Sequence, residues 1–449
     1  MAARGEFSSR TAFVLAASGS AIGLGNIWGF PIKVASNGGG AFVFTYIVLT
    51  FLLAYPILMA ELVIGRHAKS DTVKSMSMIS GERTRWLGMS TGYWGMLTAS
   101  LILSFYAIIA GWMIAHALGS IFSSVGLEES WFVSDSIARS LVFSVIFFAL
   151  TISIVASGVA SGIEKWSTRL MPILILLIIL LIIYIATLPG AAEGWKVYLQ
   201  PDFSKVTDPN LVLDALSQAF FSLSLGVGTM MVYGSYISKS ENLPKLGATV
   251  AAMDIGIAVL AGMLVIPAMY VAQFNGVVIY DDAGQLIEST GLIFNVLPSL
   301  FTTMGAAGGI VSILFFVLMS IAALTSSISM LEVPVAYASD SHRLSRGKAA
   351  WLVGLVILAF SVVLIFNMSW LFGKVVNFAT EFSEPMIGIL FCFFVAWVWR
   401  RDRLLGELKE GCPEMQETFF WKVWPNYVKF VCPAIVLILL IRSSGLLSS

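Results

Sequence analysis

Two apolar stretches of the chain are each interrupted near their middle by small and polar residues. The interruptions cover residues 18–26 (SGSAIGLGN) and residues 222–229 (SLSLGVGT), and both contain Gly-x-Gly. Glycine inside a helix costs about 1 kcal/mol relative to alanine, so paired glycines let the backbone leave helical geometry. The freed carbonyl groups then need partners, because a membrane interior offers no water. A sodium ion or a zwitterionic solute can supply those partners.

The first glycine pair also has a simpler interpretation. Gly19 and Gly23 form a G-x-x-x-G motif, which commonly lets two membrane helices approach closely. The matching second interruption, with hydroxyl groups and an amide beside it, favours a binding site over packing alone.

Three adjacent hydroxyl residues lie in a third apolar stretch, at Thr325, Ser326 and Ser327. Hydroxyl oxygens are hard donors that suit a hard cation such as sodium. The alternative is that each hydroxyl only bonds back to a carbonyl one helical turn earlier.

Five acidic residues fall inside apolar stretches, where charge is costly and therefore informative. Asp254 lies well inside its stretch and is the strongest candidate for a site. Glu61 and Glu332 lie towards the ends of theirs, and we expect both to have structural hydrogen-bonding roles. Glu381 and Glu384 lie in the outer half of a later stretch.

Composition identifies the solvent as a lipid bilayer. Of 449 residues, 58% are hydrophobic and 12% are charged, whereas soluble domains carry about 25% charged residues. The mean hydropathy is +0.89, far too apolar for a soluble fold of this length. The net charge of zero argues against nucleic acid as a partner.

Catalytic motifs do not occur in the sequence. The three cysteines and three histidines are scattered, without C-x-x-C or H-E-x-x-H, so the sequence favours structural thiols over a disulfide or transition-metal site. With no nucleophile–base pair either, we expect no enzymatic activity.

Eleven stretches are long and apolar enough to span a bilayer, which takes about 20 residues. The fold class predicted is therefore an all-α polytopic membrane protein. The predicted spans, numbered 1 to 11 from here on, are 10–36, 41–65, 89–121, 139–157, 166–187, 211–237, 245–274, 306–336, 349–367, 374–399 and 422–444. Lysine and arginine in alternate loops place the N-terminus in the cytoplasm and the C-terminus outside.

The two interruptions fall in spans 1 and 6, which start from opposite sides of the membrane. That spacing predicts an inverted repeat of five plus five helices, in which paired broken helices mark the substrate site. We expect one domain, 1–449, with repeat one at about 10–187, repeat two at about 211–399, and an extra helix at about 422–444.

The same segments resemble the neurotransmitter:sodium symporter family, which shares the leucine-transporter fold. The motifs are residues 23–31 (GLGNIWGFP), 37–42 (NGGGAF), 222–228 and 325–327. The resemblance covers essentially the whole chain and implies sodium-coupled transport.

The resemblance implies two sodium sites. Sodium 1 would be held by the substrate carboxylate and by Ala21, Asn26, Ser222 and Asp254. Asp254 stands where the family has asparagine. Sodium 2 would be held by backbone carbonyls and two hydroxyls, from Gly19, Ile22, Ala322, Thr325 and Ser326.

Chloride-dependent members of the family bind the anion beside sodium 1. Tyr46, Gln218 and Ser222 match that anion site, but Ala258 replaces its usual serine. We expect the carboxylate of Asp254 to supply the negative charge, so that chloride is not required.

The resemblance also implies a pocket for an amino acid. Tyr106 and the N–H groups near Leu24 and Gly25 would bind the α-carboxylate, and Phe221 would cover the pocket. Gly23 replaces the aspartate of monoamine carriers and would leave room for that carboxylate. The whole implied set is Ala21, Gly23, Leu24, Gly25, Ile102, Tyr106, Phe221, Ser222, Ser224, Gly226, Val227, Gly228, Ser326 and Ser329. Small residues at Val227 and Ser329 favour aromatic side chains and still admit leucine.

Gates on both sides follow from the same resemblance. The inner gate would pair Arg4 with Asp340, beside Phe7, Ser235 and Tyr236. At the outer gate, glycine at position 29 replaces the usual arginine opposite Glu381, so this ion pair would be absent or rebuilt. Gly162 and Pro172 would let the cytoplasmic end of span 5 unwind.

The expected function is sodium-coupled import of tryptophan, phenylalanine, tyrosine and leucine across a bacterial inner membrane by alternating access. A proton-coupled carrier of the same architecture is the nearest alternative, although span 5 lacks a central cation. A sensor that binds the amino acid without moving it is another. Stoichiometry and oligomeric state stay open.

Overall fold

The computed structural model describes residues 5–279, 293–294, 297–304 and 306–443, and this part of the chain contains helices and no strand. The all-α prediction is therefore confirmed. The spans are Arg10–Ala21 with Gly25–Ser36 (span 1), Gly40–Ala68 (2), Glu82–Ser124 (3), Ile137–Ala156 (4), Val159–Ala186 (5), Pro209–Ser222 with Thr229–Gly234 (6), Leu243–Phe274 (7), Ala307–His342 (8), Arg346–Phe366 (9), Met368–Val398 (10) and Phe419–Ser443 (11).

Shorter helices connect the spans at the two membrane surfaces. They are Thr72–Ile79, Ser130–Val133, Ala191–Leu199, Leu297–Thr303 and Arg401–Lys409. The last of these joins spans 10 and 11 and is called the linker helix below.

Span 1 breaks where the sequence predicts. Its first helix ends at Ala21, its second begins at Gly25, and the two are bent by 59°. Ile22 terminates the first helix because its backbone is extended, with φ −73° and ψ 97°. The turn between them leaves carbonyl groups outside the helical hydrogen-bond ladder.

Span 6 breaks as well, and the break is longer. Three residues between its two helices have positive φ: Ser224 (49°), Gly226 (77°) and Gly228 (81°). Glycine adopts this conformation without steric cost, whereas serine does not. The break leaves neither helix of span 6 long enough to cross a bilayer alone.

The predicted number of eleven spans therefore stays a prediction. Within the described residues, nine helices are long and apolar enough to cross a membrane, and the bent pair of span 1 makes ten. Spans 3 and 5 begin earlier than predicted, at Glu82 and Val159, because helices continue past the apolar stretch into polar surroundings that hydropathy does not register.

Spans 2 and 6 pack backbone against backbone. A Cβ atom on Gly65 would lie 1.9 Å from the carbonyl oxygen of Met231, and one on Gly234 would lie 2.7 Å from that of Leu62. Such close approach requires glycine. It joins the second helix of span 6 firmly to span 2, so that these two elements are positioned together around the break.

Candidate functional site

Four spans meet at the side chain of Asp254, which is completely buried. The amide nitrogen of Asn26 (span 1) donates to Asp254 Oδ1 at 2.7 Å and to Ser222 Oγ at 2.8 Å. Ser222 (span 6) donates to Asp254 Oδ2 at 2.6 Å, and the hydroxyl of Tyr46 (span 2) donates to the same oxygen at 3.4 Å. The structure thus brings together the three side chains predicted for sodium 1, Asn26, Ser222 and Asp254, with two of those matched to the anion site, Tyr46 and Ser222.

The carboxyl group of Asp254 has no basic partner, since no ion pair to it forms among the described residues. A buried carboxylate needs a compensating charge. Hydrogen bonds from neutral donors lower the cost of burial but bring no opposite charge. The oxygen-rich surroundings suit a hard monovalent cation, and no cluster of three histidine, cysteine or acidic side chains that could hold a transition metal occurs in the described ranges.

Asn26 presents its amide nitrogen to Asp254 and Ser222, while its oxygen faces the N–H of Gly23 at 3.4 Å. This orientation follows from the hydrogen bonds around it. A cation at this position requires the oxygen instead, which a half-turn of the amide supplies.

The second predicted sodium site is also assembled from two spans. Ser326 (span 8) donates to the carbonyl oxygens of Gly19 at 3.4 Å and Ile22 at 3.2 Å. Thr325 donates to the carbonyls of Ile321 at 3.2 Å and Ala322 at 3.0 Å. Both interpretations of these hydroxyls therefore apply: Thr325 bonds back along its own helix, and Ser326 reaches across to span 1.

Two hydroxyl groups pack directly against Gly23. A Cβ at this position would be 2.6 Å from the Tyr106 hydroxyl oxygen and 2.7 Å from Ser326 Oγ. Tyr106 in turn accepts the N–H of Leu24 at 3.0 Å. A side chain at position 23 would therefore collide with Tyr106 and Ser326, and room for a substrate carboxylate beside Gly23 stays a prediction. The open side is at Gly25, where a Cβ would meet nothing within 4 Å.

Most of the remaining predicted pocket residues line the break of span 6. Ile102, Phe221 and Ser224 are half-buried, and Val227 and Ser329 are buried. Ser329 accepts from Ser20 Oγ at 2.7 Å and donates to the Ser326 carbonyl at 2.7 Å.

Two residues with clear contacts here are absent from the predicted pocket. Ser20 bonds to Ser329, and Ser224 donates to the Ser20 carbonyl at 3.4 Å. Gln218 donates to the Gly25 carbonyl at 2.9 Å, although the sequence matched it only to the anion site. Ser20 lies inside the first polar interruption, which was a usable signal. No signal indicated the contact of Gln218.

The glycines of the span 6 break pack closely against other helices, and Gly226 contacts acidic residues of spans 2 and 10. The N–H of Gly226 donates to Glu61 Oε1 at 2.7 Å, and a Cβ on Gly226 would lie 2.1 Å from the Glu384 carbonyl. A Cβ on Gly228 would lie 2.6 Å from Thr72. The structural role expected for Glu61 agrees with this hydrogen bond, which satisfies one backbone donor of the unwound segment.

Aromatic side chains pack beside the start of span 1, on the side of the site predicted to be cytoplasmic. The N–H of Phe7 donates to the Tyr236 carbonyl at 3.2 Å, and its ring meets those of Phe13, Tyr233 and Tyr236 edge-on. Ser235 donates to the Val232 carbonyl.

Two further contacts bear on the predicted inner gate. The Tyr236 hydroxyl donates to Glu332, which also pairs with Arg346. Asp340 is exposed at the end of span 8. Its predicted partner Arg4 lies outside the described residues, so that pair stays a prediction.

Glu381, which was predicted to belong to the outer gate, is exposed. Its side chain pairs with no basic residue in the described part of the chain. The second helix of span 1 instead forms an ion pair near its C-terminal end. Asp214 of span 6 pairs with Lys33 of span 1 at 3.2 Å and with Arg442 of span 11 at 3.2 Å.

A buried ionic cluster joins the C-terminal end of span 2 to the linker helix. Arg66 pairs with Glu407 at 2.8 Å, with side-chain exposures of 0% and 3%. His67 contacts the other carboxylate oxygen at 3.0 Å. Lys239, from the segment between spans 6 and 7, pairs with that same oxygen. Burial raises the pKa of Glu407, but hydrogen bonds with His67 and Lys239 and the charge of Arg66 outweigh it and bring that pKa down to about 2.

Replacing Glu407 by glutamine leaves the Arg66 guanidinium buried without its counter-charge. We expect Glu407→Gln to lower the free energy of unfolding by about 3–5 kcal/mol, measured from thermal unfolding of the purified protein at neutral pH. The control is Asp402→Asn on the same linker helix, because its pair with Arg400 is exposed and its loss should change the stability far less. Equal effects of the two substitutions would contradict the assignment.

The same cluster predicts a pH dependence. Because folding lowers the pKa of Glu407, its contribution is complete above the ordinary value of 4.5 and is lost as the pH falls towards 2. The difference in stability between the wild type and Glu407→Gln should therefore shrink over that interval.

Comparisons with known proteins identify the family. The chain matches the sodium:neurotransmitter symporter family over residues 4–137 and 125–447. It is 34% identical over 464 residues to the uncharacterized sodium-dependent transporter YhdH of Bacillus subtilis, covering 99% of this chain and 98% of the relative. It is 24% identical to the sodium- and chloride-dependent taurine transporter of Bos taurus, covering 91% and 73%.

A solved structure agrees with these relatives. The crystal structure of MhsT in complex with L-phenylalanine is similar with a TM-score of 0.81 and 34% identity, covering 98% of this chain and 100% of MhsT. The chain is accordingly a multi-pass membrane transporter, not an enzyme, and belongs to the sodium:neurotransmitter symporter family.

Proposed function

We propose that this transporter imports hydrophobic and aromatic L-amino acids together with two sodium ions, and that it does not require chloride. The single observation that carries the proposal is the buried Asp254 carboxyl group, held by Asn26, Ser222 and Tyr46 without a basic partner. A sodium ion there supplies the missing positive charge.

The two cations have different partners in this proposal. Sodium 1 takes oxygens of Asn26, Ser222 and Asp254, with the Ala21 carbonyl and the substrate carboxylate. Its position joins spans 1, 6 and 7 directly. Sodium 2 takes the carbonyl oxygens of Gly19 and Ile22, to which the Ser326 hydroxyl donates in this structure. The hydroxyls of Thr325 and Ser326 and the Ala322 carbonyl complete its ligands. Binding of either ion therefore fixes the break of span 1 to a neighbouring span.

The amino-acid pocket is supported by the groups around Gly23 and Gly25. The Tyr106 hydroxyl and the N–H groups at the start of the second helix of span 1 can receive a carboxylate, since a helix N-terminus favours negative charge. Gly25 faces open space, and Phe221 is half-buried beside the break. MhsT binds L-phenylalanine, which supports an aromatic substrate for a chain of this similarity.

Asp254 also supports independence from chloride. Its carboxylate stands among the residues matched to the family's anion site, with Tyr46 and Ser222 in direct hydrogen-bond contact. A fixed negative charge in that position makes a bound anion unnecessary.

Alternating access follows from the contacts that close each side. The Phe7 aromatic cluster closes the cytoplasmic side. Loss of sodium 2 removes a link between span 1 and span 8 and lets the first helix of span 1 move away. Two charges crossing about 100 mV with tenfold gradients supply about 7 kcal/mol, enough for roughly 10⁵-fold accumulation.

The function is tested by uptake of radiolabelled phenylalanine and tryptophan into proteoliposomes. We expect accumulation with an inward sodium gradient, none with potassium or choline, competition by leucine, and no change when gluconate replaces chloride. Sodium-dependent binding without accumulation would indicate a sensor, and uptake driven equally by a pH gradient would indicate proton coupling; either result overturns the proposal.

The sodium 2 site is tested by replacing two neighbouring serines, one at a time, and measuring the sodium dependence of uptake. Ser326→Ala removes the hydroxyl that reaches span 1, and we expect the sodium concentration for half-maximal uptake to rise about tenfold, as for loss of one ligand worth about 1.4 kcal/mol. Ser327→Ala is the matched control, because the Ser327 hydroxyl is also buried and makes no hydrogen bond within the part of the chain that the structure describes. A shift of the same size in Ser327→Ala, or none in Ser326→Ala, would contradict the site.

A further inference from the structure

A groove opens on the membrane-facing surface between spans 3, 4 and 8. Its volume is about 270 Å³, and the atoms exposed in it are apolar. Ser320 contributes the only hydroxyl among the lining residues, and that hydroxyl donates to the Phe316 carbonyl at 2.8 Å. The groove therefore offers no free hydrogen-bonding group to a polar ligand.

Span 3 forms one wall and span 4 the floor. The wall is a continuous face of Ile114, Ala117, Leu118 and Ile121, whose spacing corresponds to about 10 Å along a helix. The small side chain of Ala117 makes the groove deep, and Phe147 of span 4, which is 1% exposed, closes its floor.

The other wall belongs to span 8. Ile321 and Leu324 line the groove and are half-buried. Leu324 lies in the middle of the helix Ala307–His342, so the groove begins near the centre of the bilayer. A hydrogen bond between the hydroxyls of Ser120 and Ser312, at 2.7 Å, joins spans 3 and 8 beside the groove.

The position of the groove within the bilayer restricts what can occupy it. Water is absent from the hydrocarbon region and does not fill apolar cavities. The rim residues Ile121 and Leu150 are 40% and 46% exposed, and the groove is continuous with the surface that this multi-pass protein presents to lipid. Hydrocarbon chains are the only material available there in quantity.

We propose that the groove is a binding site for one acyl chain of a bilayer lipid, and that its occupant stabilises the turn of span 8 that carries the sodium 2 ligands. The link is short: Ile321 lines the groove, and its carbonyl accepts a hydrogen bond from the Thr325 hydroxyl at 3.2 Å. Leu324 is the residue before Thr325. A chain packed against both side chains restricts this turn, and the sodium part of the proposal rests on the function proposed above.

Occupancy is tested by photolabelling in nanodiscs made with phosphatidylcholine that carries a diazirine on one acyl chain. We expect labelling of the peptides that contain residues 114–121 and 317–324, and loss of that labelling in Ala117→Phe, which fills the groove. Val356→Phe is the control, since Val356 is 64% exposed on span 9 and away from the groove. Ala117→Leu fills the groove less and replaces Ala117→Phe if the latter does not fold.

Two labelling results would overturn the site. Labelling of the groove peptides that persists in the filled variant is one. Labelling of the span 9 peptide as strong as that of the groove peptides is the other, because it indicates lipid bound at the whole surface without preference.

The effect on sodium is measured separately, as sodium-dependent binding of phenylalanine with and without added phosphatidylcholine. We expect the lipid to lower the half-saturating sodium concentration of the wild type by about fivefold, the lower end of typical coupling between sites, and to have no effect on the filled variant. Equal shifts in both proteins overturn the coupling. If phenylalanine does not bind at all, the proposed function fails while the labelling result still decides the lipid site.

Discussion

A carboxyl group that has no counter-charge among the described residues lies where four spans of this transporter meet. Asp254 is completely buried, and its three hydrogen-bond donors come from spans 1, 2 and 6, each of them neutral. Neutral donors orient the carboxylate but cannot balance it. In the proposed function, a small cation bound here couples the positions of four spans to its own presence, which is the property that a sodium-coupled carrier requires.

The broken helices around this group are satisfied by long-range side-chain contacts in place of helical bonds. Gln218 bonds the Gly25 carbonyl, Glu61 the Gly226 N–H, and Ser326 the carbonyls of Gly19 and Ile22. Backbone groups in hydrocarbon must find such partners. Because the partners belong to different spans, any movement of span 1 or span 6 must break some of these hydrogen bonds.

The sequence predicted the features that are local in the chain. Both breaks, the buried Asp254 and the hydroxyls of span 8 follow from residue type and helical length, since glycine pairs and intramembrane charges are costly wherever they occur. Contacts between distant side chains could not be predicted in this way. The bond between Ser20 and Ser329 and the cluster at Glu407 depend on rotamers and helix packing. Gly23 is similar, because the residue type alone does not say which hydroxyl groups pack beside a glycine.

The most direct test of the central claim is equilibrium binding of radioactive sodium to the purified transporter in the presence of phenylalanine, in the wild type and in Asp254→Ala. The account predicts two sodium ions per wild-type chain and the loss of one of them when the carboxylate is removed, while the ion held near Ser326 stays bound. Two ions bound to Asp254→Ala as tightly as to the wild type would contradict it.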